Sequence, residues 1–347
     1  MRSGAGVVAG LGVRVMVLVA FTACGESGPL VTVYSPHGRD QLVIFEQGFE
    51  AANPGVDVQW VDMGSQEVLD RVRSERANPQ GDVWFGGPEV FFSRAAAEGL
   101  LEPYRPAWAS VIAPEARGLD DLYYGVYLTP AVITYNSDAL AREEAPRDWD
   151  DILDPRWAGK VLIRDPVASG TMRTIFGMIM YRSLEETGDT AAGYEWLRRL
   201  DAQTKEYVLN PTLLYQKLAR QEGLVTLWNL PDVLRVKAQG LPLDYVLPAG
   251  GTPVLVDAIA VIKGTRRPEL AHAFVEYVGS REAQLMAARQ SFRNITRTDV
   301  PTDSLPAWLV DVNRRLQPMD LDWNLLESQG REWIRYWDAH IRGQGGR

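Results

Sequence analysis

Cysteine is almost missing: the 347 residues contain one, Cys24. An internal disulfide and a cysteine-ligated metal cluster are therefore excluded. Histidine is nearly as scarce, with three; His272 and His340 fall on helical patterns without catalytic spacing, and only His37 lies in a loop. Basic residues are in deficit, leaving a net charge of −9 that becomes more negative if Arg2 and Arg14 leave with a leader. Nucleic acid and anionic lipid need basic patches, so neither is the main partner. A small anion stays open, because a cleft can be positive on an acidic body. No apolar run is long enough to span a bilayer; the N-terminal one, residues 15–21, is bounded by Arg14. Repeats and low-complexity blocks are missing too. What remains, 46% hydrophobic and 23% charged residues, fits a globular protein with a sizeable core, and the length allows two domains.

The stretch Arg164-Asp165-Pro166-Val167-Ala168-Ser169-Gly170-Thr171-Met172-Arg173 follows the apolar Val161-Leu162-Ile163 and precedes an apolar helical run, 175–181. The order is strand, tight polar turn, helix. The first N–H groups of a helix lack intrahelical partners, and together with the positive helix end they favour a phosphate, phosphonate or carboxylate. Ser169 and Thr171 add hydroxyls, and Arg173 adds charge. A serine here also serves as a plain helix cap. Taken alone, the stretch supports both readings equally.

The rest of the chain alternates strand and helix. Residues 30–34 read as a strand ending at Ser35-Pro36-His37-Gly38; Leu42, Phe45 and Phe49 recur at helical spacing; Val56, Val58 and Trp60 alternate as in a strand. Such a β-α-β unit begins a parallel sheet whose ligand loops lie at the strand C-termini. A helix over 67–76 and a strand over 82–85 follow, ended by Gly86-Gly87-Pro88, a loop whose glycines let a ligand touch the backbone. Two strands, 123–128 and 131–136, are separated by Thr129-Pro130, and 149–160 reads as a helix and turn. Beyond Arg173 the pattern predicts helices over 175–184, 190–200 and 212–221, a strand over 224–228 ending at Asn229-Leu230-Pro231-Asp232, and strands reaching 257–262. Leu270, Phe274 and Val278 line one helix face, and two amphipathic helices close the chain.

Residues 1–23, followed by Cys24-Gly25, resemble a bacterial lipoprotein signal peptide, in which small residues before a cysteine direct cleavage and lipid attachment there. Phe21 stands where leucine is usual; it also breaks the small-x-small pattern of ordinary secretory cleavage. The expectation is an exported lipoprotein, tethered at Cys24 through residues 24–29, facing the periplasm or cell exterior and meeting the membrane only through its lipid.

The segments Val33-Tyr34-Ser35-Pro36-His37-Gly38, Asp82-Val83-Trp84-Phe85-Gly86-Gly87-Pro88, Tyr124-Gly125-Val126-Tyr127, Trp149-Asp150-Asp151-Ile152-Leu153, Ala168-Ser169-Gly170-Thr171 and Asp257-Ala258-Ile259-Ala260-Val261 carry a resemblance by their order and spacing. The chain resembles the extracellular solute-binding proteins of bacterial ABC importers, in the type-2 periplasmic-binding group that handles ferric ion, thiamine, phosphonates and sugar phosphates. The resemblance covers nearly the whole mature chain. It implies an α/β fold of two lobes joined by two crossing strands: lobe one at 30–128 with 258–307, lobe two at 129–257, and crossings near 129–134 and 252–257. Helices in 308–347 are left without a lobe. It further implies hinge closure around a solute, delivery to the transmembrane subunits of an ABC permease, no cofactor, and a monomer.

In ferric members two adjacent tyrosines after a lobe-two strand bind the metal. Here that place reads Trp228-Asn229-Leu230-Pro231-Asp232, Tyr123-Tyr124 fall on another strand, and neutral Asn229 does not replace a phenolate for a hard trivalent ion. A ferric-binding protein is thus the alternative, and a surface lipoprotein without a transport role the second. Members that take phosphorylated ligands hold the group on a turn like Ser169-Gly170-Thr171. By that likeness Ser35, His37, Gly38, Gly86 and Gly87 supply donors from the opposite lobe, Arg173 adds charge, and Asn229, Asp232 and Asp257 face the remainder of the ligand. Carboxylates there suit hydroxyls or an ammonium, hence a sugar phosphate or an aminoalkylphosphonate. Trp84, Tyr127 and Trp228 read as core more than site. Catalysis is not expected: Ser169 lacks a G-x-S-x-G elbow, and Asp150-Asp151 reads as a solvated helix start.

Overall fold

The computed structural model describes Met1 and residues 28–344; the expected leader and Cys24 lie outside the described residues. The chain opens with β1 (Leu30–Ser35), α1 (Arg39–Ala52), β2 (Asp57–Asp62), α2 (Ser65–Ser74), β3 (Val83–Pro88) and α3 (Glu89–Ala97). β1 pairs in parallel with β2 on one side and β3 on the other. Its side chains alternate between faces. Val31 and Val33 join Phe45, Phe49 and Phe274 in one cluster, while Tyr34 joins Val68 and Phe92 in another. β3 runs on through Gly86 and Gly87, where a loop was expected, and both glycines take positive φ, +92° and +93°.

After β4 (Leu101–Glu102) comes β5 (Tyr124–Asn136), one strand of 13 residues buried almost throughout. The expected break at Thr129-Pro130 does not occur. Residues 124–130 pair with β10 and 131–135 with β8, so Pro130 sits where the ladder changes partner, a place that tolerates a missing N–H. Residues 149–160 form two 3₁₀ turns, Trp149–Leu153 and Pro155–Trp157, each capped by an aspartate, Asp148 and Asp154. Next are β6 (Val161–Arg164), α4 (Gly170–Thr187), α5 (Ala191–Gln203), β7 (Thr204–Val208), α6 (Pro211–Ala219), β8 (Val225–Asn229), α7 (Leu230–Ala238) and β9 (Leu243–Val246). The remainder is β10 (Val254–Ile262), α8 (Pro268–Gly279), α9 (Arg281–Gln290), β11 (Asn294–Ile295), α10 (Ala307–Arg315) and α11 (Trp323–His340).

Strand order is β2-β1-β3-β10-β5-β8-β6-β7, with β10 antiparallel to β3 and β5, and β6 parallel to β7 and β8. This is a two-lobed α/β fold with β5 shared by both halves of the sheet. The tail covers the second half: Trp333, Ile334 and Trp337 of α11 join Phe176, Met180 and Leu200 in one core. α10 links the halves, since Leu309 meets Ala288 and Ile295 whereas Val312 enters the core shared with α4. Thr252 fastens three passages together. Its N–H donates to Gln317 O (2.9 Å), its carbonyl accepts from Met319 N–H (2.9 Å), and its hydroxyl donates to Ala131 O (2.6 Å).

Candidate functional site

In a parallel α/β sheet the loop after each strand opens onto the strand C-termini, and the next helix begins there. Six helices start around one cavity of about 430 Å³ for this topological reason: α1, α2 and α3 on one wall, α4, α6 and α7 on the other. The first wall presents Pro36, His37, Gly38, Gly64, Ser65, Gly87 and Pro88; the facing wall presents Arg164, the turn 168–171, Thr212, Tyr215 and Asn229. Thr129, Leu255, Asp257 and Arg293 form the floor.

The two walls treat their helix ends differently. Ser169 accepts from Met172 N–H (3.2 Å), Asn210 from Leu213 N–H (3.1 Å) and Asn229 from Asp232 N–H (3.0 Å). The starts of α1 and α3, whose N-cap residues are Gly38 and Pro88, carry no side-chain cap; at α2 the N-cap is Gly64, and Glu67 reaches back to accept its N–H (2.8 Å). Ser169 therefore is a cap and a cleft residue at once. Its hydroxyl proton remains available to a solute oxygen, because a serine oxygen accepts and donates together.

Four arginines, Arg164, Arg173, Arg235 and Arg293, face three aspartates, Asp62, Asp232 and Asp257, in the lining. Arg164 donates to Val208 O (3.3 Å), and its buried Nε has no partner. Arg173 turns back onto the carbonyls of Pro166 and Val167; burial, then Arg331 and Arg94, lower its pKa. Asp257 is buried, accepts from Thr129 Oγ1 (2.9 Å) and lies 3.5 Å from Arg293 Nη1. Burial raises its pKa against the pull of Arg293 and Thr129. At Asp232 burial also pushes upward, but Arg235 and Arg293, with hydrogen bonds from Asn229 and Tyr215, win and lower the pKa. Asp232 is thus ionised, and its Oδ2 is already held by Tyr215 (2.9 Å), Trp228 Nε1 (3.1 Å) and Asn229 Nδ2 (3.0 Å).

Of the residues singled out from sequence, His37, Gly38, Gly87, Ser169, Gly170, Thr171, Arg173, Asn229, Asp232 and Asp257 line this cavity. Ser35 and Gly86 stand behind the wall. Ser35 is fully buried and its hydroxyl accepts from His37 N–H (3.2 Å). Gly86 leaves room for the His37 ring, whose Nε2 would lie 2.1 Å from a Cβ at that position. Arg164, Arg235, Arg293, Thr129, Ser65 and Tyr215 were not foreseen as site residues. Arg164 opens the stretch already marked by its turn, and Arg235 follows Asp232 by one helical turn; Arg293 carries no local signal, since only the two-residue β11 follows it.

A family model described as bacterial extracellular solute-binding protein matches residues 85–328. The chain belongs to this family. Such a solute-binding protein serves an ABC importer, with a small solute and a permease as its partners. A probable ABC transporter periplasmic-binding protein, y4fP, of Sinorhizobium fredii is 28% identical, over 94% of this chain and 90% of its own length. A putative 2-aminoethylphosphonate-binding periplasmic protein of Salmonella typhimurium is 28% identical, over 79% and 81%. The solved periplasmic binding protein AfuA of Actinobacillus pleuropneumoniae, with exogenous fructose-6-phosphate bound, superposes with a TM-score of 0.78 at 25% identity, over 90% and 98%. Among the described residues no helix is long and apolar enough to cross a membrane.

Proposed function

We propose that this solute-binding protein captures a small phosphorylated or phosphonate compound between its lobes, hands it to the permease and catalyses nothing. The observation that carries the reading is the meeting of six helix N-termini and four arginines at one cavity. Desolvating a phosphate costs several kcal/mol, so a site for it needs many fixed donors and positive charge. Helix ends supply both without side-chain entropy. Ser169, Gly170 and Thr171 receive the phosphoryl oxygens from one wall; Gly38, Gly87 and the uncapped starts of α1 and α3 receive them from the other. Asn229 and Asp257 face the rest of the molecule, which suits hydroxyls or an ammonium, while Asp232 orders Asn229 and Tyr215 beside them. 2-Aminoethylphosphonate and fructose-6-phosphate, the ligands named for the Salmonella and Actinobacillus relatives, are both of this class.

In this reading lobe one is 30–128 with 258–307, lobe two is 129–257, and a lipid on Cys24 holds the protein to its membrane. Ferric ion is the competing solute. Tyr215 is the cavity's one tyrosine, and its hydroxyl is engaged by Asp232 and Trp228, leaving no pair of phenolates for a trivalent ion.

Thermal unfolding of the mature chain with 2-aminoethylphosphonate, fructose-6-phosphate, inorganic phosphate or ferric citrate separates the two. At a hundredfold excess over Kd, a bound ligand stabilises by about 2.7 kcal/mol, readily seen as a rise in Tm. A rise with a phosphate ester or phosphonate and none with ferric citrate is expected; the reverse pattern makes the protein an iron binder.

A further inference from the structure

The cleft does not end at the phosphoryl chamber. A second cavity, about 520 Å³, opens beside it between α1 and α7, sharing Gly38, Thr212, Asp232, Arg235 and Arg293 with the first. Three of its lining side chains are buried and leave a polar atom without a partner: Gln41 Nε2, Ser291 Oγ and Arg293 Nε. Their residues are 5%, 5% and 9% exposed. An unsatisfied buried polar group costs about 1–3 kcal/mol, and three such groups belong to residues that line this one chamber. Between Ser291 and Arg293 the chain turns through Phe292 at φ +53°, a left-handed conformation that an aromatic residue adopts only where the surroundings enforce it.

The chemistry of the three atoms is one-sided. A guanidinium Nε and an amide Nε2 only donate, and the serine hydroxyl can donate. Arg39, Arg235 and Arg293 outnumber Asp232, the sole acid of this lining, whose Oδ1 pairs with Arg235 at 3.6 Å and whose Oδ2 is bound by Tyr215, Trp228 and Asn229. Donors under net positive charge match an acceptor-rich anion rather than a polyol or an amine.

We infer that this outer chamber is a second anion subsite, so that the solute carries a carboxylate or a second phosphoryl group besides the phosphoryl group held in the inner chamber. The inference rests on the phosphate reading of the inner chamber. Gln41, Ser291 and Arg293 take the second acid from lobe one, and Arg39 and Arg235 neutralise it from the two sides of the opening.

Isothermal titration of the mature chain with matched pairs tests it: glucose-6-phosphate against 6-phosphogluconate, and fructose-6-phosphate against fructose-1,6-bisphosphate. The first pair probes a carboxylate and the second a phosphoryl group. At least one two-acid member is expected to bind tenfold or more tighter than its one-acid partner. That ratio should fall toward one in both Arg39→Gln, an exposed substitution that leaves the core intact, and Ser291→Ala. Equal affinity within both pairs, or a ratio that survives both variants, overturns the subsite and leaves the chamber to water. Binding by no phosphate compound at all overturns the inner-chamber reading, and the subsite falls with it.

Discussion

His37 shows how one side chain joins fold and cleft. Its ring stands edge-on to Phe85 at 5.2 Å in the room left by Gly86, and its buried Nε2 has no partner. Burial, then the charge of Arg293, hold its pKa well below 6.5, so it is neutral at pH 7. Because the folded value is depressed, the unfolded chain takes up a proton first as pH falls below 6.5, and stability drops with a slope approaching 1.4 kcal/mol per pH unit. Urea unfolding between pH 7 and pH 5 should therefore show a shallower loss for His37→Gln than for the native chain; parallel curves would remove the buried neutral histidine from the account. At this scale the sequence was legible wherever a small or polar residue ends a strand, as at Gly38, Gly87, Ser169 and Asn229. It misled at Ser35 and Gly86, where alternation along the strand turns the residue inward. Arg293 was invisible because its place depends on tertiary packing, which no nearby residue announces.

The turn between β6 and α4 is set by Asp165. Its buried carboxylate accepts from Val167 N–H (2.8 Å) and Ala168 N–H (3.3 Å) and is bound by Arg342 (2.6 Å) from beyond the end of α11. The segment that follows the last helix thus fixes the loop that carries Ser169. Breaking a buried ion pair costs roughly 3–5 kcal/mol, but the Arg342 side chain is 29% exposed and recovers water. Asp165→Ala should cost about 2 kcal/mol by denaturant midpoint and weaken solute binding; Asp165→Asn, which keeps an acceptor for the turn, should lose less of both. An equal loss in the two variants would mean that charge alone matters. Among elements, the helices were readable from their apolar spacing, and the early strands from alternation. Pro130 gave a false break in β5 because it sits at a change of pairing partner, which only tertiary structure reveals. The edge strand β7 was missed because its half-exposed TKEYV has too few apolar residues to mark a face.

For the molecule as a whole, Gly170 governs how near the lobes can come. A Cβ there would stand 3.2 Å from Pro88 Cγ, so the start of α4 meets the start of α3 with no side chain between them. On the outer side, Arg94 of α3 reaches Glu327 of α11 at 3.6 Å. Gly170→Val should hold the lobes apart. The expected result is at least a tenfold weaker affinity with little change in unfolding midpoint, and a radius of gyration in scattering that no longer contracts on adding solute. Contraction equal to that of the native chain would show that approach at this point is not needed. The α/β character was legible from the alternation of strand and helix and the two-lobed plan from the family resemblance, whereas the role of the tail was not, since amphipathic helices do not say which core they cover. Thr252, which clasps the chain near Ala131 and the 317–319 segment while leading into β10, gives the joint its mechanical character. A door hung on two parallel pins can still rack sideways, but a third pin at the same height stops it. In the proposed hinge, opening would thereby be restricted to one swing, and the permease would meet a single repeatable pose of the two rims rather than a family of skewed ones.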